Sequence, residues 1–450
     1  MQLGPGLHDS PLDIAVIGSG IAGLSCAWLL SKRHRVTLYE GADRLGGHTN
    51  TLTPSGAPGI AVDAGFIVYN EATYPNFTAL LAHLGVASQP SEMSFAVSRH
   101  AGALEYAGTD LGGLLAQKAN VIRPRFWAMM RDLLRFYRQA PRDIARMEAL
   151  DLTLDEYLIE GGYGAAFRDD HLLPMAAAIW STPTAAIGDY PAAAFIRFCA
   201  NHGLLRVSGR PEWRTVAGGA RNYLRWLVDG VSGPIHLARR IGSVARTQDA
   251  VRIEDIAGEV AWHDHVVIAS HAHQAFAMLA DPDERETALL GAFGHTRNLA
   301  VLHTDATLMP RRRRVWSSWN FMESGDAGGP PFVTYWMNRL QALPGPCDYF
   351  LTLNPPRPPA AGTILHTEQY THPLFDRAAL AAQRDLWSLQ GVRRTWFCGA
   401  WFGAGFHEDG LQAGLAVAEA LGNVRRPWAC DDESGRIRLK AKTPVAAGIS

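Results

Sequence analysis

The amino-acid sequence predicts an α/β fold: one parallel-sheet domain assembled from three separated pieces of chain, with an α+β domain inserted between the pieces. Three observations carry this. Near the N-terminus a strand, a glycine-rich turn, a helix and a second strand follow one another closely enough to make one βαβ unit. Short strand-like runs return between Ile235 and Ser270 and again at Thr395–Cys398. From about Ala72 to Arg210 the texture is helical instead.

The elements follow in order. Leu12–Ile17 is a short apolar run, as a buried parallel strand requires. Gly18-Ser19-Gly20-Ile21-Ala22-Gly23 comes next, then an Ala/Leu-rich helix over Leu24–Ser31 and a second strand at Arg35–Glu40. Apolar spacings of three and four predict helices over Asn76–Leu84, Phe126–Tyr137, Leu154–Ile159 and Ala192–Cys199. Strands are expected at Ile235–Leu237, Ser243–Arg246, Val251–Ile256, Val260–His263 and Val266–Ala269. A mixed segment follows, then the strand Thr395–Cys398 and an Ala/Gly-rich helix over Leu411–Leu421. The parallel-sheet domain is therefore placed at 10–75, 213–275 and 385–425, and the inserted domain at 76–212 and 276–384. Residues 1–9 and 426–450, polar and without periodicity, are read as tails.

Composition narrows the class. With 450 residues, 47% of them hydrophobic, the chain can bury more than one core. A formal charge of -1 (42 Lys+Arg against 43 Asp+Glu) lacks the basic footprint of a nucleic-acid partner. No run of about 18 apolar residues predicts a membrane span, and Met1–Leu12 does not read as a signal peptide. The five cysteines are far apart and lack CxxC spacing, which predicts neither disulfides nor a metal site and suits a reducing cytoplasm. Only four lysines occur, at 32, 118, 440 and 442.

Gly18-x-Gly20-x-x-Gly23 lies where a dinucleotide site needs it, after a strand and opening a helix. The first glycine permits the tight turn, the second lets backbone approach a pyrophosphate, and the third packs helix on strand; the helix N-terminus offers free N–H groups to the phosphates. Glu40 closes the second strand 22 residues after Gly18, the position of a carboxylate that grips ribose hydroxyls and disfavours a 2′-phosphate. Ser19, Ile21 and Ala22 complete the turn.

Downstream, Glu40-Gly41-Ala-Asp-Arg44-Leu-Gly46-Gly47-His48-Thr49 resembles the R-x-G-G element of the flavin amine oxidase, phytoene desaturase and protoporphyrinogen oxidase superfamily. Three further stretches are similar to it: Asp63–Val68 with Gly65, Phe66 and Ile67; Ser243–Arg246 together with Val266–Ser270; and Phe397-Cys398-Gly399-Ala400 with Gly410-Leu411-Gln412-Ala413-Gly414. The resemblance implies a discontinuous Rossmann-like FAD-binding domain with an inserted α+β substrate domain, and FAD held non-covalently. It implies Arg44 and the glycine backbone at the pyrophosphate, 65–67 beside the flavin ring, a backbone group of Val244 at the adenine, and 399–400, 410–411 and 414 in the C-terminal flavin motif. Two positions depart from the pattern. Ala400 stands where the superfamily carries Asp or Glu, and His48 where it carries a second arginine. Within the superfamily, R-L-G-G-H-T, A-I-W-S and C-G-A-W-F-G-A-G-F-H-E-D-G look closest to bacterial NAD/FAD-binding proteins often encoded beside fatty-acyl-modifying methyltransferases.

For chemistry, His407 is the group nearest the C-terminal motif expected to move a proton around neutral pH; a histidine merely bonded to loop backbone is the competing reading. Trp401, Phe402 and Phe406 predict an apolar wall, and Trp180 is either a wall or a core residue. With no lysine between 118 and 440, the water-activating lysine common in flavin amine oxidases has no counterpart in that span. The leading expectation is hydride transfer from an apolar, fatty-acyl or other lipid substrate to the flavin, as desaturation, oxidation or double-bond isomerisation, with no electron acceptor specified. A flavin-dependent amine oxidase is the alternative, and a flavoprotein binding module without turnover the third. The basic, aromatic stretch 121–138 reads either as a solvated domain helix or as a peripheral membrane contact of an otherwise cytoplasmic protein.

Overall fold

The computed structural model describes residues 10–180, 187–323 and 331–439. Asp13–Ile17 is the middle strand of a five-stranded parallel sheet, ordered Ile235–His236, Arg35–Tyr39, Asp13–Ile17, His265–Ile268, Thr395–Phe397. Its strands come from three distant stretches of chain. They read as apolar runs because the sheet is covered on both faces. One cover is the helix Ile21–Leu30, buried along its whole length. Against it lies the C-terminal helix His407–Gly422, and the two approach closely because Gly414 has no side chain: a Cβ there would sit 2.1 Å from the Ala22 carbonyl oxygen. The strands Ile241–Arg246, Val251–Asp255 and Val260–His263 form a small antiparallel sheet beside this domain.

The second domain holds a seven-stranded sheet ordered Ile364–Pro373, His295–His303, Phe350–Leu353, Phe332–Trp336, Trp319–Met322, Phe95–Arg99, Leu104–Ala107. Its core gathers Phe126, Met129, Phe136, Phe167 and Phe195 from helices over 124–201 against Phe321 and Tyr335 of the sheet. All four helices expected between 76 and 201 are present, at Pro75–Leu84, Pro124–Gln139, Leu154–Glu160 and Ala192–Asn201.

Two expectations are corrected. The stretch read as helical also contains the strands Ser88–Ser91, Phe95–Arg99 and Leu104–Ala107. They are short: Ser88–Ser91 pairs with Trp213–Val216 and Phe95–Arg99 with Trp319–Met322, both far along the chain, and Leu104–Ala107 pairs with Phe95–Arg99. Residues 426–439 are also not a loose tail. Arg426 is buried and forms a two-pronged ion pair with Glu419 (2.8 and 2.9 Å), Trp428 stacks on Trp28, and Arg436 pairs with buried Asp409 at 2.7 Å. Polar composition signalled solvation there, but these arginines meet carboxylates of the C-terminal helix instead. Residues 1–9 and 440–450 lie outside the described residues, as does the side chain of Trp180.

Candidate active site

A cavity of about 730 Å³ opens at the C-terminal ends of Asp13–Ile17 and His265–Ile268, where the sheet order switches direction and ligands bind in such folds, and runs on into the second domain. Its first half is the glycine turn. Gly18 (φ +103°) lies so close to Ala269 that a Cβ would come within 2.9 Å of its carbonyl oxygen. Gly20, at the N-cap of Ile21–Leu30, has no protein atom within 4 Å of where a Cβ would be. Glu40 accepts from the Ser19 backbone N–H (2.9 Å), the Ser19 hydroxyl and the Ala42 N–H (2.9 Å), so it shapes the turn as well as facing the groove. Arg44 donates to the Gly47 carbonyl and pairs with Glu368 at 3.2 Å.

Of the expected residues, Gly18, Ser19, Gly20, Ile21, Ala22, Glu40, Arg44, Gly46, Gly47, His48, Thr49, Gly65, Phe66, Ile67, Gly399, Ala400, His407 and Gly410 line this cavity. Gly23, Gly41, Val244, Leu411 and Gly414 stand off its wall. Gly23 packs helix against turn, with a would-be Cβ 1.9 Å from the Gly18 carbonyl oxygen. Gly41 lies against Arg240, and Leu411 and Gly414 pack in the core under the helix. Val244 is fully buried, with its carbonyl accepting from the Ala280 N–H, because the chain after the helix Ala272–Met278 runs alongside it.

His407 lies on the cavity wall. Its Nε2 is 2.7 Å from the Tyr223 hydroxyl, which is itself 2.6 Å from the Thr49 hydroxyl, and its ring stacks on Phe66 at 3.7 Å. Burial drives its pKa down to about 3, so the imidazole is neutral across the physiological range. It partners side chains rather than loop backbone, bonding Tyr223 and packing on Phe66. Replacing His407 with Gln should therefore leave the pH profile of flavin reduction unmoved between pH 5 and 8; disappearance of an inflection near 6.5 would restore the proton-transfer role.

The neighbouring acids are structural. Glu408 accepts from the Asn76 and Phe77 N–H groups that open the helix Pro75–Leu84, and Asp409 accepts from the Phe406 N–H. Burial raises the pKa of both.

The sequence left several wall residues unnamed. His271 and Gln274 follow the strand His265–Ile268, and Tyr370 and His372 come from Ile364–Pro373. Tyr370 stacks on His48 at 4.9 Å. His271 carried a legible signal, since it lies just beyond a central parallel strand; Tyr370 and His372 carried none. The deeper half is lined by Met93, Phe95, Met175, Ile179, Phe198, Leu204, Leu351, Leu353 and Phe406, with His171 bonded to the Tyr106 hydroxyl at 3.0 Å and Arg210 also on the wall.

This site fits a flavin dinucleotide. The groove at Gly20 is open, Glu40 lines it with the glycine turn, and buried Nε2 of His48 has no partner among the described residues, leaving a polar atom for a cofactor to satisfy. A polar side chain here also answers the missing second arginine.

Residues 21–336 match the family described as flavin containing amine oxidoreductase, and the chain belongs to that family of FAD-dependent oxidoreductases. It is 51% identical over 44 residues to an L-amino-acid oxidase of Bungarus fasciatus and 27% identical over 148 residues to the (S)-6-hydroxynicotine oxidase of Paenarthrobacter nicotinovorans. These matches span 10% and 32% of this chain, and only 8% and 34% of those relatives. The fold is similar to a putrescine oxidase (TM-score 0.67, 14% identity, 91% of this chain and 98% of that one). It is likewise similar to a CLA-producing fatty acid isomerase from P. acnes (TM-score 0.63, 14% identity, 92% and 98%).

Glu40→Ala should weaken FAD binding by about 1.5–3 kcal/mol through lost charge-assisted hydrogen bonds. Equilibrium dialysis against FAD measures this, and unchanged affinity would remove Glu40 from the site.

Proposed function

We propose that this chain oxidises, desaturates or isomerises an apolar substrate, fatty-acyl or another lipid, with non-covalently held FAD as its hydride acceptor. The carrying observation is the deeper half of the cavity, whose wall is methionine, leucine, isoleucine and aromatic side chains. Among the described residues it holds no lysine and no carboxylate; the cavity's two glutamates, Glu40 and Glu368, face Ser19 and Arg44. An ammonium would enter without a counter-ion and with the Arg210 cation on the same wall, whereas an acyl chain meets apolar surface along its length.

The bound flavin would supply hydride acceptance. The chain's own residues would hold it at 18–22, 40, 44, 46–49, 399–400 and 410, exclude water with the aromatic and aliphatic wall, and orient the substrate C–H bond. Amine oxidation is the second reading, favoured by the rings of Phe198, Phe406 and Trp213 gathered around His202, since aromatic faces accept cations.

Anaerobic mixing separates the two. Unsaturated fatty acids or acyl phospholipids should perturb or bleach the flavin spectrum while mono- and polyamines leave it unchanged; rapid bleaching by a polyamine with fatty acids inert would reverse the ranking.

We also propose peripheral membrane contact through 121–138, as suits a lipid-using enzyme. Among the described residues no helix is long and apolar enough to cross a membrane. Here Phe126, Met129 and Phe136 point into the core, while Val121, Ile122, Trp127 and Leu134 are exposed among Arg123, Arg125, Arg131 and Arg138. Anionic vesicles should sediment the protein and Ile122→Asp should release it; no sedimentation with anionic vesicles, or sedimentation undiminished by Ile122→Asp, would refute the contact.

A further inference from the structure

The substrate half of the cavity contains two histidines in different states of satisfaction. His171 meets a partner on each side: the Tyr106 hydroxyl is 3.0 Å from Nδ1 and the Tyr137 hydroxyl 3.4 Å from Nε2. His202 does not. Its Nδ1 lies 2.9 Å from the carbonyl oxygen of Phe198, one turn back on its own helix. A carbonyl can only accept, so Nδ1 carries the hydrogen and Nε2 of the neutral ring is a bare lone pair. That second nitrogen is on the side of the ring away from the Phe198 carbonyl. It is buried and has no partner among the described residues. Burial also holds the His202 pKa at about 3, so the lone pair is not protonated at neutral pH. The ring stacks on Phe198 at 4.0 Å and lies 5.7 Å from Phe406, on the loop shared with the dinucleotide half.

Trp319 is the complementary case. It lines the same cavity, and its buried indole N–H has no acceptor among the described residues. His202 and Trp319 both line this cavity, and an unpaired buried acceptor and an unpaired buried donor there are what a ligand with opposite groups would complete.

We propose that the substrate is an apolar chain bearing a hydrogen-bond donor, a hydroxyl or an amide N–H, that donates to His202 Nε2, together with an acceptor oxygen for Trp319 Nε1. This rests on the apolar-substrate reading and narrows it: a plain carboxylate head, which only accepts, cannot satisfy His202.

The test uses the FAD-loaded protein and two probes of nearly the same shape, 1-dodecanol and dodecyl methyl ether. Both can accept from Trp319, and only the alcohol can donate to His202. By equilibrium dialysis, the wild-type protein should bind the alcohol about tenfold more tightly. His202→Leu should remove that preference, His202→Gln should keep part of it by restoring an acceptor, and Trp319→Phe should weaken both probes equally. Equal binding of the two probes by the wild type, or a preference that survives His202→Leu, overturns the assignment to His202. If neither probe binds, the apolar-substrate reading falls with it.

Discussion

Gly20→Val is expected to fold normally and to carry no FAD. Gly20 has φ -63° and ψ 175°, extended backbone that valine adopts without strain. Its would-be Cβ meets nothing within 4 Å, so no protein contact opposes the substitution. The added side chain instead projects into the groove where the pyrophosphate must approach the helix N-terminus. The expected loss is about a thousandfold or more in affinity, roughly 4 kcal/mol. Gly23→Val is the control. A Cβ there would sit 1.9 Å from the Gly18 carbonyl oxygen, so it should prevent the domain from folding at all. Circular dichroism and flavin absorbance on the purified proteins separate the outcomes. A yellow, FAD-saturated Gly20→Val protein would show that the dinucleotide lies elsewhere.

Arg436→Ala should destabilise the whole protein by about 3–5 kcal/mol, although it lies in a stretch whose composition reads as tail. Arg436 clasps Asp409 with two nitrogens, at 2.7 and 3.2 Å, and donates to the Thr73 carbonyl at 2.8 Å. Asp409 is fully buried, so removing the arginine strands a carboxylate that water cannot reach. The same carboxylate accepts from the Phe406 N–H at 2.7 Å, which ties the loss to the loop on the cavity wall. Urea denaturation should show the midpoint falling with an unchanged slope, and FAD retention should fall alongside it. A midpoint within error of the wild type would mean that the C-terminal segment is not part of the folded unit.

The two predictions differ in how legible they were. Gly20 is plain in the sequence because a dinucleotide turn needs a specific residue type at a specific spacing, and strand, turn, helix and Glu40 all lie within one local stretch. The parallel strands were legible for a related reason: burial on both faces forces a continuous apolar run, visible without knowledge of the neighbours. Arg436 carried no such mark, since a buried arginine and a solvated one look alike until the partner is located. The strand Phe95–Arg99 was hidden in the same way, being too short to show a period and held by pairing with Trp319–Met322, more than 200 positions distant, while Leu104–Ala107 forms a hairpin with it at the sheet edge.

By itself, then, the sequence determined the fold class, the glycine turn with its carboxylate, and most of the residues that line the cavity beside that turn. Those properties are local: they follow from backbone freedom, spacing and one-dimensional apolar pattern. Tertiary structure alone decided the state of the histidines and the apolar character of the deeper half of the cavity. Burial leaves His407 neutral beside Tyr223, and His202 Nε2 has no partner among the described residues, because charge and hydrogen-bond satisfaction depend on desolvation and on partners brought in from other elements. Tyr223 reaches His407 from 184 residues away. Protonation is a property of the assembled neighbourhood, and a chain read residue by residue does not yet contain one.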